Sequence, residues 1–198
     1  MTSPLFFRTL GDPSNPPLII LHGLLGTSDN WQTLGKAYSE HYCVWLIDQR
    51  NHGRSPHFET HQYPELAQDL CAFMDEHGIE KAHVLGHSMG GKTALMFAHH
   101  HPDRLRKLIV ADMAVRAYDP HHQSIFDALL SAPIETASGR SEIENHLNAQ
   151  LDDSSMVGFL MKSLRRRPDH GFTWRPNVPV LRDALSDVVG EVPLALNT

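Results

Sequence analysis

Four short apolar runs, Pro17–Leu21, Tyr42–Ile47, Ala82–Gly86 and Lys107–Ala111, recur through the first two-thirds of the chain. None alternates apolar with polar residues. Strands without that alternation are buried on both faces, which is the condition of a parallel sheet covered by helices. A fifth β-prone run, Leu5–Leu10, ends in the turn segment Gly11–Pro16. Helical patterns fill the gaps. Asn30–Glu40 follows an Asp/Asn cap, and Gly90–His100 is stopped by Pro102. Pro64–His77 opens with proline in its first turn and closes at Gly78, the positions those residues favour. Within it Leu66, Leu70, Phe73, Met74 and His77 recur at the spacing of one buried stripe. This βαβα order predicts an α/β fold: a mostly parallel sheet with helices on both faces and right-handed crossovers.

After Val115 the texture changes. Helical segments are expected at about 122–131, 141–150, 154–166 and 178–189, separated by Ala132–Ser138 and Pro168–Asn177. No strand run is expected before Val192–Leu196. The organisation read from this is an α/β core at 1–115, an all-helical cap at 116–190, and the start of a return to the core at 191–198. The triplet Arg165–Arg167 reads as a solvated helix end.

Composition narrows the function. The 198 residues suit one domain with an insertion, and such a chain buries about 70% of its unfolded surface without disulfides or structural metal. Seventeen basic against 23 acidic side chains, a net charge of −6, disfavour nucleic acid and anionic membrane surfaces as partners. No apolar stretch approaches the roughly 18 residues of a membrane span. Only Cys43 and Cys71 occur, outside any CxxC pair, and Met1–Leu10 lacks a leader pattern, so reduced thiols in a cytoplasmic protein are expected. The 15 histidines include His57, His61 and the run His99–His101, but no HExxH or similar spacing; no metal and no cofactor is expected.

The sharpest chemical signal is Gly86-His87-Ser88-Met89-Gly90, which follows an expected strand and opens an expected helix. That context makes a G-x-S-x-G match a nucleophile elbow. The serine must stand on a tight, strained turn with its hydroxyl free, and side chains at the flanking positions would strike neighbouring backbone. The new helix leaves the backbone N–H of Met89 free where an oxyanion would form. His22-Gly23-Leu24-Leu25-Gly26 follows another strand, at the sheet end where ligands bind, and offers the N–H of Leu24 as a second oxyanion donor.

On these residues the chain resembles the α/β-hydrolase superfamily of serine esterases. Asp48-Gln49-Arg50-Asn51-His52-Gly53-Arg54-Ser55 is similar to that superfamily's D-x-R-x-x-G-x-S loop. His87–Lys92 and Trp174–Leu181 resemble the small bacterial esterases of the YbfF type. The resemblance covers essentially the whole chain. It implies a carboxylic ester hydrolase with Ser88 as nucleophile, Leu24 and Met89 as oxyanion donors, and a small-molecule acyl ester or thioester as substrate. Asp48, Arg50 and His52 are expected to be structural. The acid orienting the catalytic histidine follows the sixth strand of the superfamily in some groups, and Asp112, after Lys107–Ala111, stands at the matching position. The cap is expected to line the acyl pocket with Phe126, Phe159, Leu160 and Trp174, and His22, flanking the site, is expected to bind substrate with them.

The superfamily carries its base histidine on a loop after the eighth strand. The reading to Thr198 contains no counterpart of that loop, so the base is expected to be absent and strand Lys107–Ala111 to keep an unpaired edge. Losing the base costs on the order of 10⁶ in turnover. His87 precedes Ser88 on a strand, so alternation sends its side chain to the opposite face. His121, His122, His146 and His170 lie in the cap. Two readings stay open beside the esterase: an inactive hydrolase-fold fragment or binding protein, and another Ser-elbow reaction such as C–C hydrolysis or acyl transfer.

Overall fold

A computed structural model describes residues 5–118 and 122–192. His121 and all but the first residue of the expected strand Val192–Leu196 lie outside the described residues. Five strands form the main sheet: β1 (Phe7–Leu10), β2 (Pro17–Leu21), β3 (Cys43–Ile47), β4 (Ala82–His87) and β5 (Leu105–Ala111). Their spatial order is β1-β3-β2-β4-β5; β1 runs antiparallel to β3 and the remaining pairs are parallel.

The lack of alternation in these strands has the expected cause. Leu18, Ile20, Val44, Leu46 and Leu85 project to one face, where Trp31 and Tyr38 of the segment around α1 (Gln32–Tyr38) cover them. Ile19, Leu21, Ile47 and Val84 project to the other, against Leu66, Leu70, Phe73 and Met74 of α2 (Tyr63–Glu76) and Met96 and Phe97 of α3 (Met89–His100). Each such side chain contributes about 1.5–3 kcal/mol on burial, so both faces of the central strands hold the sheet in place. Helix α2 starts on a capping box between Gln62 and Glu65, with Pro64 in its first turn.

Beyond the sheet come α4 (Gln123–Ser131), α5 (Arg140–Gln150), α6 (Ser154–Met161), α7 (Val178–Asp183) and α8 (Leu185–Val189). The expectation of an all-helical insertion is corrected. A two-stranded hairpin, β6 (Leu164–Arg166) and β7 (Phe172–Trp174), interrupts the helices. The helix expected over 154–166 stops at Met161, where both the N–H and the hydroxyl of Ser163 turn back onto the Leu160 carbonyl, 2.9 and 2.8 Å away. The Arg165–Arg167 triplet is therefore no helix end. Arg166 stacks on Phe172 of the facing strand, 4.7 Å from the ring centre, and Arg167 pairs with Asp169. These elements have their own core of Phe126, Leu129, Ile143, Leu147, Leu160 and Phe172.

The chain leaves this unit next to where it entered. Tyr118 N–H donates to the Val189 carbonyl and Val192 N–H to that of Val115, both at 2.9 Å. Val188 and Val192 rejoin the core under the sheet. Lys92 of α3 is fully buried, and its ammonium donates to the carbonyls of Val188, Val189 and Gly190. Tyr63 Oη adds a 2.7 Å bond to Val188. At the far side, β5 has no second neighbour among the described strands, and Ile109 on it is 49% exposed. Among the described residues no helix is long and apolar enough to cross a membrane.

Candidate active site

Among the described residues, four non-glycine residues have positive φ, and each follows one of the four parallel strands: Leu25 after β2, Asn51 after β3, Ser88 after β4 and Asp112 after β5. Such backbone costs on the order of 1–3 kcal/mol per residue and concentrates where function fixes geometry. Here all of it lies along the carboxyl edge of the sheet, where parallel sheets bind ligands.

Ser88 adopts φ 51 and ψ −120 between β4 and α3 and is half-buried. A Cβ on Gly86 would collide with the Gly90 carbonyl, and one on Gly90 would come within 2.5 Å of the Leu21 carbonyl oxygen. Glycine at both positions is what lets the turn close this tightly. Ser88 N–H donates to the Ala111 carbonyl at 3.0 Å, tying the turn to the end of β5 and so to Asp112. The N–H groups of Leu24 and Met89 have no acceptor among the described residues.

The loop 22–26 is held by two buried histidines. His22 Nδ1–H donates to the Gly23 carbonyl at 2.8 Å, while its Nε2 accepts from Gln49 N–H at 3.0 Å. His52 Nδ1–H donates to the Arg50 carbonyl, and its Nε2 accepts from Leu25 N–H at 3.1 Å. Each ring is thereby a neutral tautomer with both nitrogens engaged. Burial holds both below the usual imidazole range. His61 continues the row: its ring centre is 5.4 Å from that of His52, its Nε2 is 3.3 Å from Met89 Sδ, and burial first, then the Arg50 charge, lower its pKa to about 4. His22 and His52 hold the loop with both ring nitrogens engaged, so neither is available as a base.

Asp48 and Arg50 sit behind the same edge. Asp48 accepts from Ser28 N–H at 2.6 Å and Arg54 N–H at 2.9 Å. Arg50 makes a buried two-point pair with Asp69, 2.6 and 2.9 Å, and reaches Glu65 at 2.9 Å. Their bonds tie this loop to α2 and to the segment at Ser28.

A cavity of about 330 Å³ opens in front of the loop, walled by His22, Gly23, Leu24, Trp31, His87 and Phe159. Ser88 Cβ lies against Gly23, 3.3 Å from where a Cβ there would be, and His87 Nδ1 is closer still, at 2.9 Å. Strand alternation places the His87 ring away from Ser88. The turn at Ser88 breaks that alternation, and the ring instead lines the cavity with its Nε2 3.8 Å from Asp112 Oδ2. The Asp112 carboxylate is 88% exposed.

Three expected wall residues are corrected. Phe126 is fully buried in the core of the inserted unit, and Trp174 is buried there too, its Nε1–H donating to the Leu129 carbonyl at 3.1 Å. Leu160 likewise packs inward. Large apolar residues of an insertion first fill its own core; Phe159, half-buried, is the one that reaches the cavity. Trp31 and Leu34, which also line it, were hidden from motif reading because they sit in an ordinary amphipathic segment. Among the described residues no three His, Cys, Asp or Glu side chains gather as metal ligands.

The fold and elbow define a class, and the chain belongs to it: residues 16–170 match the alpha/beta hydrolase fold family. Within that family the chain is 36% identical over 151 residues to a putative esterase/lipase of Haemophilus influenzae, an alignment spanning 76% of this chain and 53% of that protein. It is 34% identical over 178 residues to Esterase YbfF of Escherichia coli, spanning 89% of this chain and 68% of that protein. The solved structure of a marine microorganism esterase superposes with a TM-score of 0.92 at 40% identity, covering 96% of this chain and 74% of that one. The chain thus spans between about half and three-quarters of the length of these relatives.

Proposed function

We propose that this chain carries the nucleophilic part of a carboxylic ester hydrolase acting on small to medium acyl esters or thioesters. Ser88 Oγ attacks the acyl carbon, the N–H groups of Leu24 and Met89 donate to the oxyanion, and Asp112 orients the histidine base and stabilises its protonated form. The histidine takes the Ser88 proton and passes it to the departing alcohol or thiol as the ester bond breaks, and water then hydrolyses the acyl-serine. Residues 1–115 supply the nucleophile, and the unit at 116–190 covers it, with Phe159 against the acyl group. The two thiols, Cys43 and Cys71, are free and buried, which accords with a cytoplasmic setting.

One observation carries the reading: a serine held at φ 51, ψ −120 beside two N–H groups that have no acceptor among the described residues. The esterase names of the relatives from Haemophilus influenzae and Escherichia coli support the choice of reaction. No histidine among the described residues hydrogen-bonds Ser88 Oγ, and we assign the base to a histidine outside them.

The test combines a fluorophosphonate probe with a short-chain p-nitrophenyl ester. A form containing the base is expected to be labelled and to turn over, and Ser88→Ala to do neither. The 198-residue chain alone is expected to be slower by on the order of 10⁶. Labelling that survives Ser88→Ala overturns the nucleophile. Fast, Ser88-dependent turnover by the 198-residue chain overturns the assignment of the base.

A further inference from the structure

A second cavity, about 270 Å³, adjoins the first across Phe159 and Asn30, which line both. Its chemistry is different. Lys162, Arg165 and Arg175 converge on it, and none of the three has a carboxylate within ion-pair distance among the described residues. In a chain of net charge −6, three cations against a single lining carboxylate, Asp29, make a focused positive field.

The one acid on this wall is already engaged. Asp29 Oδ1 accepts from Arg8 Nε and Nη2 at 3.0 and 2.6 Å and from Gln32 Nε2 at 2.9 Å. The Arg165 side chain and the Arg175 backbone are held in place. Arg165 Nη1 donates to the carbonyls of Lys162 and Leu164, both at 2.9 Å, which leaves its other nitrogens for a ligand. The backbone of Arg175 is tied on both sides, its N–H donating to the Ser163 carbonyl at 3.1 Å and its carbonyl accepting from His57 Nε2–H at 2.8 Å. The Arg175 guanidinium itself has no hydrogen bond among the described residues. Burial, then the charges of Arg165 and Arg54, depress its proton affinity, and the more distant carboxylates of Asp29 and Asp48 offset them only in part.

We propose that this cavity is an anion subsite, which takes a phosphate or diphosphate group of the substrate while the ester carbonyl lies at Ser88. Two guanidiniums and an ammonium match the charge of a phosphate and the two-point geometry it accepts. The shared Phe159 and Asn30 put that group one cavity away from the reacting carbon. The substrate class narrows from acyl esters in general to esters or thioesters that carry a phosphate. This proposal rests on the hydrolase reading for its role in catalysis, but not for the existence of the site.

Calorimetric titration of inorganic pyrophosphate into the 198-residue chain at low salt is the direct test. One-site binding is expected, weakened at least tenfold in the double variant Arg165→Gln/Arg175→Gln. Arg166→Gln, on the same hairpin but stacked on Phe172, is expected to bind as the parent does. Should the double variant fail to fold, amide shifts of the parent chain on adding pyrophosphate decide instead, with changes expected at residues 27–33, 162–165 and 175. No binding, undiminished binding by the folded double variant, or shifts elsewhere would each overturn the site. Succinate binding as tightly as pyrophosphate would overturn the assignment to phosphate. In a form that contains the base, kcat/KM for a phosphate-bearing ester relative to a neutral one is expected to fall at least tenfold in the double variant; an unchanged ratio removes the subsite from the reaction. Pyrophosphate binding with no hydrolysis of any ester would instead sink the hydrolase reading and leave the subsite standing.

Discussion

His61 is buried, and its Nδ1 has no hydrogen-bond partner among the described residues. A neutral imidazole tolerates this; an imidazolium does not. The folded pKa of about 4 lies below the ordinary value of 6.5, so as the pH falls the unfolded chain takes the proton first. Stability is therefore complete above about pH 6.5 and is lost as the pH falls from there to about 4, by roughly 3 kcal/mol for this residue alone. His22 and His52, shifted in the same direction, steepen the loss. Urea midpoints measured between pH 7.5 and 4.5 are expected to fall steeply, and His61→Leu to flatten that slope by about one proton. A slope unaltered in the variant would mean that His61 is protonated in the folded chain. At this scale the sequence was legible where chemistry demands a residue type: Gly86, Ser88 and Gly90 read directly as an elbow. The His22–His52–His61 row was not, because its members are 30 and 9 residues apart and only the sheet edge brings them together.

The four parallel strands were legible because each lies on an apolar run of parallel-sheet length, β1 because its β-prone run ends in a turn segment, and α2 because it carries its own start and stop signals. The cap hairpin was not. Strands of three residues are too short to establish a period, and Leu164-Arg165-Arg166 reads equally well as the last turn of a helix. The turn signal was there in Pro168-Asp169-His170-Gly171, with Gly171 at φ 69. That hairpin brings Arg175 and Asn177 back toward the sheet. Asn177 N–H donates to the Asn51 carbonyl at 2.9 Å, and its side chain to Asn51 Oδ1 and the Phe58 carbonyl, both at 3.2 Å. Asn177→Ala removes the two side-chain bonds and is expected to cost about 1–2 kcal/mol. Hydrogen exchange should show the loss in the helices between residues 123 and 185, with the strands β2, β3 and β4 protected as before. Equal loss in the sheet would show that the two units unfold as one.

At the scale of the whole molecule, the sheet among the described residues ends in β1 on one side and β5 on the other, each with a single neighbour, and the β5 edge carries the exposed Ile109. Open edges recruit other chains. The 198-residue chain is expected to self-associate with rising concentration in sedimentation velocity, and Ile109→Lys to shift it toward monomer. Association unaffected by the lysine would place the contact elsewhere. On the opposite flank, the Lys92 ammonium sits four residues along from the nucleophile, grasping three successive carbonyls at the exit of the inserted unit. An ammonium without water has nowhere else to donate. That exit is thus bolted to the very helix whose first turn presents Ser88, and with Asn177 anchored to Asn51 elsewhere along the edge, the inserted unit is moored to the nucleophile's scaffold at two separate points.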